Sequence, residues 1–177
     1  EKIAKENNYN VDWRPFLMGV AIKESGNLSL SEQPLKGDYA KKDWDRLARF
    51  SSIPWKLPTQ FPIFSLSAAR CFYLVKDLDE ILAVELAKDL FSAYFKDDRN
   101  ISDVNLIIKL AAARGLDSNA LKKNIKSEEI KQRLKTETEE AITLGIFGSP
   151  SFLVDGEIFW GSDRLWMLKR WLRSGGW

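Results

Sequence analysis

Apolar residues recur three and four positions apart through most of the chain; only near its two ends do they alternate or bunch. The helical spacing is clearest from Asp79 to Phe95, where Ile81, Val84, Ala87, Leu90, Phe91 and Tyr94 form one stripe. Tyr39 to Phe50, with Trp44, Leu47 and Ala48 on its buried side, and Ser65 to Val75 read the same way. Ser102 caps a further helix whose Val104, Ile107, Ile108 and Ala111 share a face, and Gly115 ends it. Asp117 to Ile125 is shorter. Ser127 to Leu144 is long, with Glu128 and Glu129 where acids suit the helix dipole and Ile130, Leu134, Ala141 and Ile142 on its buried side. Residues 39–126 are therefore nearly all helix. Their main break is Ile53 to Pro62, where three prolines in ten residues forbid regular helix. Trp55 and Phe61 in that break either line a pocket for an aromatic substrate or belong to the core.

The ends read differently. Glu1 to Asn8 is the tail of a helix stopped at Asn7-Asn8. From Tyr9 to Phe16, Val11 and Trp13 alternate with Asp12 and Arg14, which predicts a strand closed by Pro15. Leu17 to Lys23 follows, and Glu24-Ser25-Gly26-Asn27 breaks it. Far downstream, Gly145 closes a helix and Pro150 precedes the apolar run Ser151 to Val154. Asp155-Gly156 then turns the chain into Glu157 to Trp160. Asp-Gly between two such runs predicts a hairpin, because both central residues of a type I′ turn need positive φ. Gly161-Ser162-Asp163 opens a last helix with Leu165, Leu168 and Leu172 in register and Trp166 and Trp171 flanking them. The early strand and the late hairpin cannot bury their apolar faces alone, so they are expected to share one sheet. The prediction is an α/β fold. Residues 1–35 and 128–177 form a sheet domain, and 36–127 form an inserted all-helical domain beside it. The cleft between two such units is a common ligand site.

Composition removes several classes of function. The net charge of +2 is too small to argue for a nucleic-acid partner. No apolar run approaches the roughly 20 residues of a membrane helix, and the start carries no secretory signal. There is no histidine, hence no His-based triad, general base or metal site. There is one cysteine, Cys71, hence no internal disulfide and no C-x-x-C pair. In the apolar stretch AARCFYLV it reads as a small buried hydrophobe.

Two short stretches carry the candidate chemistry. If Ser149-Pro150 is cis, which proline permits far more cheaply than other residues, the Ser149 N–H and C=O turn outward and can receive an extended peptide. The alternative is a plain loop proline entering an edge strand. At Trp160-Gly161-Ser162-Asp163-Arg164, a helix N-terminus offers free N–H groups to a carboxylate, and Asp163 offers a charge to an ammonium. Together they suit an α-amino-acid head group. Ser162 as N-cap and Asp163 as a favourable first-turn acid are compatible with that role.

The unit FGSPSF…VDGEIFWGSDRL resembles the C-terminal half of a thioredoxin-like fold. In wording it is most similar to the 2-hydroxychromene-2-carboxylate isomerases and their relatives, the kappa-class glutathione transferases. VDWRPFLMG followed by SGN matches how that family leaves its second strand. The resemblance implies a thioredoxin-like domain interrupted by a helical one, with glutathione as cofactor. It implies that Asn27, Lys36, Ser149, Pro150, Ser162 and Asp163 bind glutathione, the last pair at its γ-glutamyl end. Asn27 is otherwise a turn asparagine, and Lys36 otherwise a solvated loop lysine. In the family a strand and a helix bearing an activating serine come first. This chain is expected to start after them, so no residue in it is assigned a catalytic role. Loss of a pairing strand would leave an open sheet edge, prone to aggregation or partner-strand capture.

The expected activity is a glutathione-dependent isomerisation, or a kappa-class glutathione transfer, acting on a small aromatic or electrophilic substrate. A reducing, cytoplasmic setting is expected, as is a homodimer, because the tryptophans of the last helix look exposed and related enzymes are often dimers. Two other readings stand: a thioredoxin-like disulfide oxidoreductase with its cysteines upstream, and an inactive, truncated binding module.

Overall fold

The computed structural model describes residues 1–177. A short helix α1 (Lys2–Glu6) leads into an extended segment, then α2 (Met18–Glu24), a 3-10 turn (Leu30–Glu32) and α3 (Lys36–Phe50). The helical body follows: α4 (Leu66–Lys76), α5 (Glu80–Phe95), α6 (Val104–Ala113), α7 (Ser118–Asn124) and α8 (Glu128–Thr143). The hairpin of β1 (Ser151–Val154) and β2 (Glu157–Trp160), a 3-10 turn (Ser162–Arg164) and α9 (Leu165–Ser174) complete the chain.

Side-chain caps explain where most of the body helices begin. Asp79 accepts from the Leu82 N–H at 2.9 Å, Asp117 from Asn119 and Ala120, and Ser127 from Ile130. Each fills one or two of the donors a helix start leaves free, worth about 1 kcal/mol. Ser102 does not cap α6 as expected. Asp103 does, accepting from the Asn105 N–H, while the Ser102 hydroxyl bonds Asn100 Oδ1. The core lies among α4 to α8, with Phe72, Tyr73, Leu86, Ile107, Ile125 and Leu134 fully buried. Burying each such side chain is worth about 1.5–3 kcal/mol. Trp55 stacks on Phe95 and Phe61 meets Trp44 edge-on, so both aromatics of the proline-rich break are packing residues. Tyr94 donates to the Gln60 carbonyl at 2.7 Å and holds that break against α5.

The strand expected at Tyr9 to Phe16 does not form. The sheet has two strands only, β1 and β2, antiparallel. A strand exists through its ladder, and the backbone N–H groups of residues 10–14 find no partner within the chain. Side chains hold this segment instead. Tyr73 donates to the Pro15 carbonyl at 2.6 Å and Lys76 to the Trp13 carbonyl at 3.0 Å. Arg14 pairs with Glu137 at 3.0 Å and Glu140 at 3.2 Å on α8, and Arg133 closes on the other Glu137 oxygen at 2.7 Å. Glu137, 6% exposed, is the one buried charged residue. The segment is thus fastened to the helical body, and Trp13 and Leu17 pack on its core.

The hairpin sits between α9 and the loop that precedes it. Asp155 (φ +52°) and Gly156 (φ +83°) make the two-residue turn, which sets Val154 opposite Glu157. Phe159 is buried against Trp171 of α9, whose indole N–H donates to Asp155 Oδ2 at 2.9 Å. On the other face Trp160 covers Phe147 and Gly148; a Cβ at 148 would lie 2.3 Å from the Trp160 indole nitrogen.

Candidate functional site

The register of the hairpin decides which backbone groups are free. The Gly161 N–H donates to the Pro150 carbonyl at 2.9 Å, just outside the last strand pair, Ser151 with Trp160. Bonded pairs alternate in an antiparallel ladder, so 150/161, 152/159 and 154/157 are bonded and 151/160 and 153/158 are not. On the β1 side, Ser149, Ser151 and Leu153 therefore present their N–H and C=O away from β2. No hydrogen bond within the chain uses the N–H or the C=O of Ser149. The Ser149–Pro150 peptide is cis. The Ser151 hydroxyl donates to the Gly148 carbonyl at 2.6 Å and steadies the loop just before it.

The same Gly161–Pro150 bond brings the second predicted stretch alongside the first. Ser162 is not a side-chain cap of a long helix, as the sequence suggested. Gly161 occupies the cap position, and Ser162, Asp163 and Arg164 form the 3-10 turn that leads into α9. The physical reason is local. Gly161 adopts φ +99°, and its missing Cβ leaves room for the Asp163 carboxylate, which would stand 2.3 Å from it. The N–H groups of Ser162 and Asp163 have no partner in the chain. Both side chains are exposed, and the Asp163 carboxylate pairs with the neighbouring Arg164 guanidinium. Such an exposed pair is weak, of order 0–1 kcal/mol, so an incoming cation can exchange with it.

Asn27 and Lys36 lie elsewhere in the chain's layout. Asn27 follows α2 and donates its amide to the Ser25 carbonyl and hydroxyl at 3.2 and 3.0 Å, leaving its Oδ1 free. Lys36 is not a loop residue but the first residue of α3. It is exposed, and its ammonium forms no ion pair. Gly37 explains the tight approach there, since a Cβ would lie 2.6 Å from the Ser31 carbonyl. No hydrogen bond or ion pair joins Asn27 or Lys36 to the hairpin. The structure thus groups Ser149, Pro150, Ser162 and Asp163, and separately Asn27 and Lys36.

Cys71, the only thiol, is fully buried in α4, and burial pushes its pKa up to about 12. At neutral pH it is neither accessible nor ionised. What the sequence reading missed is the fastening of residues 12–17 through Glu137. The signal was there: Glu137 stands three residues after Leu134 and seven after Ile130, on the buried stripe of α8.

Fold and hairpin geometry define a class of protein, and the whole-chain comparison agrees with it. The chain belongs to the DSBA-like thioredoxin domain family, whose model matches residues 1–173. Within that class it is 29% identical over 173 residues to human glutathione S-transferase kappa 1, an alignment covering 91% of this chain and 76% of that protein. It is 26% identical over 172 residues to 2-hydroxychromene-2-carboxylate isomerase of Sphingobium xenophagum, covering 96% and 86%. A solved 2-hydroxychromene-2-carboxylate isomerase superposes with a TM-score of 0.84 at 24% identity, over 96% of this chain and 82% of that one. The last comparison speaks to fold.

Proposed function

We propose that this chain is a glutathione-binding isomerase similar to 2-hydroxychromene-2-carboxylate isomerase. The observation that carries the reading is the outward, unpartnered backbone of Ser149 beside the free N–H groups and carboxylate of Ser162 and Asp163. The donor set fits glutathione. An extended peptide backbone pairs with Ser149 at Pro150, a carboxylate takes the N–H groups of Ser162 and Asp163, and an α-ammonium takes the Asp163 carboxylate. Asn27, through its free Oδ1, and Lys36, as an unpaired cation, serve the rest of the tripeptide. When bound, glutathione supplies the thiolate nucleophile, which Cys71 cannot. The residues of this chain bind and orient; none is assigned the role of a catalytic hydroxyl. The substrate class is a small aromatic or electrophilic molecule. The same reading divides the chain into a thioredoxin-like unit, 1–35 with 128–177, and an inserted helical unit, 36–127, and places the protein in the cytoplasm as a homodimer.

A kappa-class glutathione transferase is the second reading, favoured by the likeness to human glutathione S-transferase kappa 1 along most of the chain. Both use the same glutathione site. Calorimetric titration with reduced glutathione tests it. Asp163→Ala is expected to weaken binding about tenfold or more, roughly 1.4 kcal/mol. Equal affinity of parent and variant would remove the Asp163 assignment, and a parent chain that does not bind glutathione would remove the reading.

A further inference from the structure

The side of the hairpin away from Ser149 carries a groove that the glutathione site does not use. By the register above, the N–H and C=O of Ile158 and Trp160 point away from β1. No hydrogen bond in the chain uses them. Beside them α9 runs back along β2. Arg164, Met167 and Trp171 recur at helical spacing and share one face of it. Arg164 lies at the Trp160 end, just past the exit turn. Trp171 lies at the opposite end, where its indole N–H donates to Asp155 of the hairpin turn. Strand and helix enclose a cavity of about 370 Å³, within the range of small-ligand pockets. Glu157 to Trp160 and Arg164 to Trp171 each span about 10 Å, the length of one or two fused aromatic rings.

The two ends of the groove differ. At the turn end, Gly175 and Gly176, both at positive φ, bring Trp177 back onto Trp171 with ring centroids 5.0 Å apart, and Arg170 lies over the Trp177 ring. A groove closed in this way suits a compact planar molecule better than an extended chain. At the exit end, the Arg164 side chain is 50% exposed and spends one hydrogen bond on Asp163. Its guanidinium has five donors in a fork that matches a carboxylate, and the outward Trp160 N–H stands at the same end. Glu157 is the one acid lining the cavity, and it disfavours a second negative charge at the turn end. We propose that this groove binds a planar aromatic carboxylate of one or two fused rings. Its carboxylate pairs with Arg164, and its rings lie among Ile158, Met167, Trp171 and Trp177. The proposal goes beyond the glutathione reading and does not depend on it, because that site lies on the β1 side of the hairpin.

Titration of the 177-residue chain with 2-naphthoate, followed by calorimetry and by proton–nitrogen correlation spectra, tests this. Saturable binding is expected with a Kd of about 1 mM or tighter, the affinity a ligand of this size reaches at ordinary efficiency. The indole N–H signals of Trp160, Trp171 and Trp177 are expected to move. Those of Trp44 and Trp55, which pack on Phe61 and Phe95 away from the hairpin, are expected to stay. Acetate, which has the charge without the ring, is expected to move none of them. Arg164→Gln is expected to weaken naphthoate binding about tenfold, and Trp177→Ala about threefold. Both side chains are exposed, so the variants should keep the parent's far-ultraviolet circular dichroism spectrum. No saturation by about 5 mM naphthoate, equal affinity of parent and Arg164→Gln, or acetate binding as well as naphthoate would each overturn the proposal. So would indole shifts confined to Trp44 and Trp55. If a variant loses its fold, the indole shifts of the parent with naphthoate and acetate decide alone.

Discussion

At the scale of single residues, burial sets the chemistry of this chain more than charge does. Cys71 and Tyr73 are neighbours in the fully buried face of α4, and both have their pKa raised by loss of water. For Tyr73 the nearby Glu137 carboxylate adds to that rise. A group whose pKa is higher in the folded state binds its proton more tightly there, so it favours folding until the pH passes its unfolded value. Cys71 goes from an ordinary 9.0 to about 12. Its contribution is present in full below pH 9 and is lost as the pH rises from 9 towards 12, at about 1.4 kcal/mol per pH unit. Tyr73 adds to the loss above pH 10. Urea unfolding is expected to give flat stability from pH 7 to 9 and a steep fall beyond. In Cys71→Ala the fall should begin later, near pH 10; an onset unchanged from the parent would remove Cys71 as its cause. The buried cysteine was legible from its apolar neighbours. The pairing of Glu137 with Arg14 was not, because Arg14 lies over a hundred positions away and only folding brings it there.

At the scale of elements, the hairpin and its exit turn show how few residues hold the proposed binding end in shape. Asp155-Gly156 and the two apolar runs made the hairpin readable, since turn type and register follow from local geometry. The exit turn was read less well. Gly161 takes the cap position because its positive φ and absent Cβ let the Asp163 carboxylate fold back over it. Gly161→Ala is expected to cost about 1–3 kcal/mol from backbone strain. It also pushes the Asp163 carboxylate aside, so glutathione affinity should fall with it. Thermal unfolding and calorimetry of the one variant check both effects. A variant as stable as the parent would show that the turn tolerates a side chain. The predicted strand at residues 9–16 shows the opposite case. Its alternation of Val11 and Trp13 with Asp12 and Arg14 is genuine, but alternation supplies one face and never a partner. In the folded chain Tyr73 and Lys76 take up two of its carbonyls.

At the scale of the whole molecule, stability is concentrated in the helices and thins towards the hairpin. The core from α4 to α8 holds nearly all the fully buried side chains, whereas β1, β2 and α9 contribute only Phe159 and Leu168 to the buried set. Hydrogen exchange is therefore expected to be slowest at Tyr73, Leu86 and Ile107 and fast at the hairpin. Within the hairpin it should alternate, with Phe152 and Phe159 slower than Leu153 and Ile158. Uniform protection along β1 and β2 at low protein concentration would contradict the register. Sequence alone determined the body helices α4 to α8 and the hairpin turn, because each depends on residues a few positions apart, and it carried the likeness to a thioredoxin-like family. Tertiary structure alone decided that Tyr9 to Phe16 forms no strand, that Arg14 is the distant cation that meets Glu137, and that Pro150 and Gly161 bring Ser149 beside Asp163. Those outcomes depend on which distant backbone and charge partners meet, and a period of two or of 3.6 along the chain carries no record of that.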